Sequence, residues 1–191
     1  MARRYWYPSR PAPTIHLMPD WGGRIRSGLG KATGRPAGGP DVYQGLRSMA
    51  LGVDPATIAV TEGAPWGGAA MAAMEFGLAS AVATIVAVAD GTVSMYVSTG
   101  GGVIGAGGHA VVRAAADRFR TIAADSRGLL ERTEEFALPE TGHVQFHVRT
   151  GDGAYSGGAE EAALRTGRHP LSPLHDAGQD LLTEIRLSTP Q

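Results

Sequence analysis

Asp90-Gly91 lies between two runs of strand-forming residues, Val82–Ala89 and Thr92–Ser98, and a two-residue Asp-Gly turn flanked in this way closes an antiparallel hairpin. In the second arm Val93, Met95 and Val97 alternate with Thr92, Ser94, Tyr96 and Ser98. That is the period of a strand with one face buried and the other in a polar setting. The first arm is almost entirely apolar and reads as a central strand. A chain carrying this hairpin is committed to an antiparallel sheet, and the remaining elements must pack around it.

Asp41–Leu51 predicts a short helix capped by Asp41, with Val42, Leu46, Met49 and Ala50 on its apolar face and Gly52 as its stop. The loop residues Asp54-Pro55 and Gly63–Gly68 then lead to Ala69–Phe76, read as a strand with an Ala/Met helix as the competing reading. From His109 to Ser126 the residues Val112, Ala115, Ala116, Phe119, Ile122 and Ala123 share one helical face, and Arg113, Asp117 and Arg120 lie off it. His143–Arg149 alternates again, with Val144, Phe146 and Val148 inward. Gly151-Asp152-Gly153 turns the chain into a short strand near Ala154–Ser156, and Ala159–Leu164 predicts one helical turn. Ser172 as N-cap, Pro173 at the first helical position, and Leu174, Ala177, Leu181 and Ile185 on one face mark a final helix. The expected fold is α+β: an antiparallel sheet of about five strands in α-βββ-α-ββ-α order, with helices packed against it.

The 191 residues provide for one ordinary domain, here expected over 41–191, preceded by a disordered basic arm over 1–40. Between Met1 and Pro40 seven Arg and Lys stand against Asp20 alone, a charge of +6, which leaves −7 for the rest of the chain. An acidic body argues against nucleic-acid binding by the folded part. Arg3-Arg4 is followed by neither an apolar stretch nor a small-residue cleavage site, so an export signal is not expected. No apolar run approaches the roughly 20 residues that cross a bilayer. There is no cysteine, which removes disulfides and thiolate chemistry, and a cytoplasmic location is the expectation.

The glycine-rich stretch Val93–His109 is the obvious place to look for a site. Gly100, Gly102 and Gly105 satisfy G-x-G-x-x-G, but the preceding strand is the second arm of a hairpin rather than the first strand of a parallel βαβ unit. In addition, Gly107-Gly108 delays the helix beyond the motif. No Lys-Ser/Thr follows the glycines, which sets aside a P-loop. A looser anion-binding reading remains, in which amides of Thr99, Gly100, Gly101 and Gly102, or of Gly107, Gly108 and His109 at the helix start, hold a phosphate or carboxylate with Arg113 adding charge. The competing reading is structural, with glycines allowing close backbone approach and Val103 and Ile104 plugging the core.

Other polar groupings carry less. His143 and His147 on a strand stand roughly 13 Å apart at about 3.3 Å per residue, too far to share a metal. With Gln145 and Arg149 they form a polar stripe on an exposed sheet face, solvated or offered to a partner. Ser172, His175 and Asp176 lack the nucleophile elbow and oxyanion hole of a hydrolase, and capping explains Ser172. Glu134-Glu135 and Glu160-Glu161 read as solvated charge. No catalytic residue, metal ligand or cofactor is expected.

The segments A-D-G-T-V-S-M-Y-V-S-T-G-G-G-V-I-G-A-G-G-H from Ala89 and G-R-H-P-L-S-P-L from Gly167 resemble a set of bacterial proteins carrying D-G-T, S-T-G-G-G-x-I-G and H-P-L-S-P-L at these relative places. The likeness spans roughly Gly68–Leu187 and implies a bacterial origin without an assigned activity. Separately, the α-βββ-α-ββ-α order is similar to that of type III secretion chaperones, which dimerise and hold client segments. On these grounds the expected function is a small non-catalytic protein-interaction or chaperone-like module, with a protein partner or self-association. The alternative is a small-molecule or anion-binding module using Gly100–Gly108.

Overall fold

The computed structural model describes residues 40–58 and 68–188, all of them within the unit Thr33–Gln191. The expected basic arm lies outside the described residues except for Pro40. In chain order the elements are α1 (Pro40–Leu51), β1 (Met71–Gly77), β2 (Val82–Val88), β3 (Val93–Val97), β4 (Gly102–Ile104), α2 (Ala110–Asp125), β5 (Glu131–Arg132), β6 (His143–Thr150), β7 (Gly153–Glu160), α3 (Glu161–Leu164) and α4 (Ser172–Ser188). The class is α+β and every strand pairing is antiparallel, in the spatial order β4-β3-β2-β1-β6-β7-β5.

The sheet therefore has seven strands rather than about five. The additional ones are β4, three residues inside the glycine run, and β5, two charged residues, and both are too short to show a period of two. β7 also runs to Glu160, well past Ser156, because Gly157 and Gly158 continue the ladder opposite Phe146 and Gln145. The β2–β3 hairpin forms around Asp90-Gly91 as the sequence requires, with Gly91 at φ 88° and the Asp90 carboxylate accepting from the Thr92 amide. Ala69–Phe76 is a strand, not a helix, and β1 is the central strand of the sheet.

Alternation assigns the two faces. Ala72, Met74 and Phe76 of β1, with their cross-strand neighbours Ile85 on β2 and Phe146 on β6, point to one side. There α2 and α4 pack: Gly178 of α4 lies so close to the Met74 thioether and the Phe119 ring that a β-carbon would collide with Met74. Phe119, Phe146, Leu174, Leu181 and Ile185 are fully buried in this layer. Met71, Ala73 and Glu75 point to the other side, where Tyr43 and Leu51 of α1 cover Met71, Ala73, Val86, Val88 and Tyr96.

Three expectations are corrected by this arrangement. The inward face of α1 is centred on Tyr43, Arg47 and Leu51, with the expected Leu46 and Ala50 packed at its margin, while Val42 and Met49 are 46% and 74% exposed. A template that counts only apolar residues rotates the face away from Arg47, which the carboxylate of the sheet beneath draws inward. Tyr96 and Ser94, on the face expected to meet a polar setting, are buried beneath α1, which roofs that face. Ser172 does not use its hydroxyl as a cap. It is buried and donates to the Leu164 carbonyl at 2.6 Å, tying α3 to α4, while the His175 amide bonds the Leu171 carbonyl.

Candidate functional site

Glu75 is the centre of the polar side of the sheet. Its position on the central strand places it opposite Thr84 of β2 and Gln145 of β6, and it is fully buried. A carboxylate taken out of water requires partners, and α1 supplies the strongest one. Arg47 binds it in a two-pronged fashion, Nε to Oε1 and Nη2 to Oε2, both at 2.8 Å, and the same Nη2 reaches the Phe136 carbonyl at 2.9 Å. Thr84 donates its hydroxyl to Glu75 Oε1 at 3.0 Å, which leaves its own oxygen to accept from Tyr43 at 3.0 Å.

On the other side stands His147, wholly buried, with Nε2 3.0 Å from Glu75 Oε2 and Nδ1 2.9 Å from Ser156 Oγ. An ionised carboxylate can only accept, so Nε2 carries the imidazole proton and Nδ1 accepts from the Ser156 hydroxyl. Gln145 in turn donates its side-chain amide to Ser156 Oγ at 2.9 Å. The outcome is a directed chain from Gln145 through Ser156 and His147 to Glu75, anchored by Arg47. The Phe136 and His147 rings meet edge to face with centroids 5.3 Å apart, and the Arg149 guanidinium lies over the Phe136 ring, 5.3 Å from its centroid.

Burial pushes the Glu75 carboxyl upward, but the hydrogen bonds from His147 and Arg47 and the Arg47 charge outweigh it, so its pKa lies below the ordinary carboxylate value. Burial also drives the Tyr43 and Tyr96 phenols upward, and both stay neutral. The Tyr96 hydroxyl is buried without a partner, its ring set edge-on to Tyr43 at 5.7 Å between centroids.

A groove of about 620 Å³ opens next to this chain. It is lined by Leu129 at the end of a 3-10 turn, by Glu131, Thr133, Glu135 and Ala137 of the segment that follows, by Gln145 of β6 and Ser156–Gly158 of β7, and by His169–Leu171 ahead of α4. A second concavity of about 550 Å³ lies between Asp54–Ala56 and the β6–β7 turn. There the Asp152 carboxylate is already engaged by the Thr150 and Tyr155 hydroxyls.

The residues singled out in the sequence are distributed differently. Gly100 and Gly101, at φ 104° and 90°, form the β3–β4 turn beside Thr99, and Gly102 begins β4, where a β-carbon would meet the Met95 carbonyl. Gly107 lies within a single 3-10 turn pressed against the Gly91 carbonyl, and Gly108 and His109 are exposed. Arg113 folds back so that its Nε and Nη2 donate to the Gly107 carbonyl at 3.1 and 2.8 Å. The Gly100–Gly102 turn and the helix start are thus separated by β4. Ile104 is 68% exposed on that edge strand and does not plug the core.

The stripe of His143, Gln145, His147 and Arg149 does share one face, but α1 and the Phe136 segment cover it. His147 is buried, while His143, Gln145 and Arg149 are half-buried. Sequence reasoning missed Glu75, Arg47 and Ser156 altogether. The available signal was a lone charge in a strand otherwise made of Ala, Met and Phe. Among the described residues no helix is long and apolar enough to cross a membrane, and no three His, Asp or Glu converge as metal ligands do. Comparison with protein-family models, curated protein sequences and solved structures gives no match to this chain.

Proposed function

We propose that the chain is a protein-interaction module whose groove beside β7 takes an extended, cation-bearing segment of a partner protein. The observation that carries this reading is the pairing of β7. Its eight residues lie against β6 along their whole length, yet β5 covers only Tyr155 and Ser156 on the other edge. Leu130 lies against Gly157, and backbone beyond Gly157 on that edge can accept a further strand, the mode by which sheets capture extended peptides. The groove running past it is lined by Glu131 and Glu135 and, on the basic side, by His169 alone, with Leu129, Pro170 and Leu171 offering apolar contact. Opposite charge steers a basic segment there and rejects an acidic one.

Fluorescence anisotropy with a labelled (Arg-Val)4 peptide and an (Glu-Val)4 control tests this. Saturable binding of the first alone is expected, weakened at least about tenfold by Glu131→Lys/Glu135→Lys and by raised salt. Equal binding of both peptides, or binding indifferent to the double substitution, overturns the reading.

A further inference from the structure

We propose that Ser156 is a nucleophile, activated by His147 and Glu75, that accepts the acyl group of an ester bound in the groove. Three features of the geometry bear on this. Ser156 Oγ is within hydrogen-bond distance of His147 Nδ1, the imidazole nitrogen that accepts its proton in the neutral ring, and the opposite nitrogen is held by a buried carboxylate. This is the nucleophile, base and orienting-acid arrangement that generates alkoxide character in a serine, here with the two imidazole nitrogens in exchanged roles. Glu75 cannot rotate away, because Arg47 grips both of its oxygens and Thr84 holds one. Finally, Ser156, although only 6% exposed, borders the groove together with Gln145.

Gln145 supplies the remaining requirement. A side-chain amide has two N–H donors, and one of them rests on Ser156 Oγ. The other is available beside the nucleophile, where the oxygen of a carbonyl under attack develops charge. In the step, Oγ forms a bond to the carbonyl carbon, its proton moves to His147 Nδ1, and the carbon–oxygen bond to the leaving alcohol breaks as that proton is delivered to the departing oxygen. Water then attacks the acyl-serine, gives its proton through the same nitrogen back to Oγ, and releases the carboxylic acid. Glu131 and Glu135 along the groove favour an ester whose acyl part is neutral or cationic and disfavour an anionic one.

The test uses the full chain and a fluorophosphonate probe, in which Oγ displaces fluoride at phosphorus and the hydroxyl proton leaves with it. Intact mass and peptide mapping should place one phosphonyl group on Ser156, with none after Ser156→Ala. His147→Gln should slow labelling at least about a hundredfold, and Gln145→Ala should slow hydrolysis of p-nitrophenyl acetate while leaving the melting temperature nearly unchanged. Because His147→Gln disturbs a buried network, the wild-type rate of labelling against pH is the second readout. It should rise through the titration of a single group and then level off. No label on Ser156, label on Ser172 in its place, or a rate untouched by His147→Gln in a variant that still melts cooperatively overturns the proposal. None of these outcomes depends on whether a basic peptide binds the groove.

Discussion

Beneath α2 and α4 the sheet offers Met74, Ile85 and Phe146 to Phe119, Leu174 and Leu181, whereas beneath α1 it offers Glu75, Thr84 and His147 to Arg47 and Tyr43. The first layer is held by area removed from water, which is tolerant of direction and of pH. The second is held by donors and acceptors that must meet at 2.8 to 3.0 Å, and the removal of one strands the others. Stability concentrated in apolar packing leaves the sheet's other face available for a polar constellation that packing alone would not require. That division makes the α1 face the place to look for function.

The largest effect expected from breaking the comparison is at Glu75. Glu75→Ala leaves the Arg47 guanidinium buried without its carboxylate and should cost about 3–5 kcal/mol in urea unfolding. Replacing both partners, Arg47→Met with Glu75→Leu, removes the stranded charge and should recover most of that loss. A double variant as unstable as the single one would mean that α1 docks by the ion pair itself rather than by the satisfaction of buried charge.

Two pH windows separate the layers next. The Glu75 carboxyl has a folded pKa below its ordinary 4.5, so the unfolded chain takes up a proton first. Its contribution is present above 4.5 and is lost as pH falls below that value. His175, buried in α4, has its pKa lowered from 6.5 by burial, with Asp176 opposing. The unfolded imidazole again protonates first, so stability from this group is present above 6.5 and declines below it. Chemical denaturation at a series of pH values should therefore show two limbs. His175→Leu should remove the one that begins at 6.5, and Arg47→Met/Glu75→Leu the one that begins at 4.5.

Much of the first layer was legible in the sequence and little of the second. Val144, Phe146 and Val148 alternate, and Val112, Ala115, Ala116 and Phe119 recur at helical spacing, so their burial follows from period alone. Arg47 and Tyr43 recur at the same spacing on α1, yet a hydrophobicity template counts them as outward. What turns them inward is Glu75, 28 residues away from Arg47 in the chain and adjacent only in space. Ser156 was equally hidden: its meaning comes from register, which the two-residue Gly151-Asp152 loop fixes so that it stands opposite His147, whereas the sequence offers a three-residue Gly151-Asp152-Gly153 turn that would shift the pairing. The glycine stretch hid a different feature: a three-residue strand inside it turns an apparent loop into a hairpin, and three residues are too few to show a period.

On the apolar face a small truncation should cost little and depend on nothing but volume. Ile85→Val removes one methylene opposite Met74 and should destabilise by about 0.5–1.5 kcal/mol, with the same value at pH 5 and at pH 8. A loss that varied with pH would show that the two faces communicate through β2, where Ile85 follows Thr84 of the Glu75 network.

The smallest effect belongs to a contact that resembles the Glu75 pair in form. Arg118 of α2 meets Asp180 of α4 at 2.8 Å, the same distance that separates Arg47 from Glu75. Both partners are more than half exposed, however, so water already solvates each charge in the unpaired state and salt screens the pair. Arg118→Ala should change unfolding free energy by less than about 1 kcal/mol, and the difference should vanish in high salt. Equal geometry with unequal consequence isolates burial as the variable: it is the removal of water around Glu75, rather than the approach of an arginine, that turns a surface ornament on one face into the organising contact of the other.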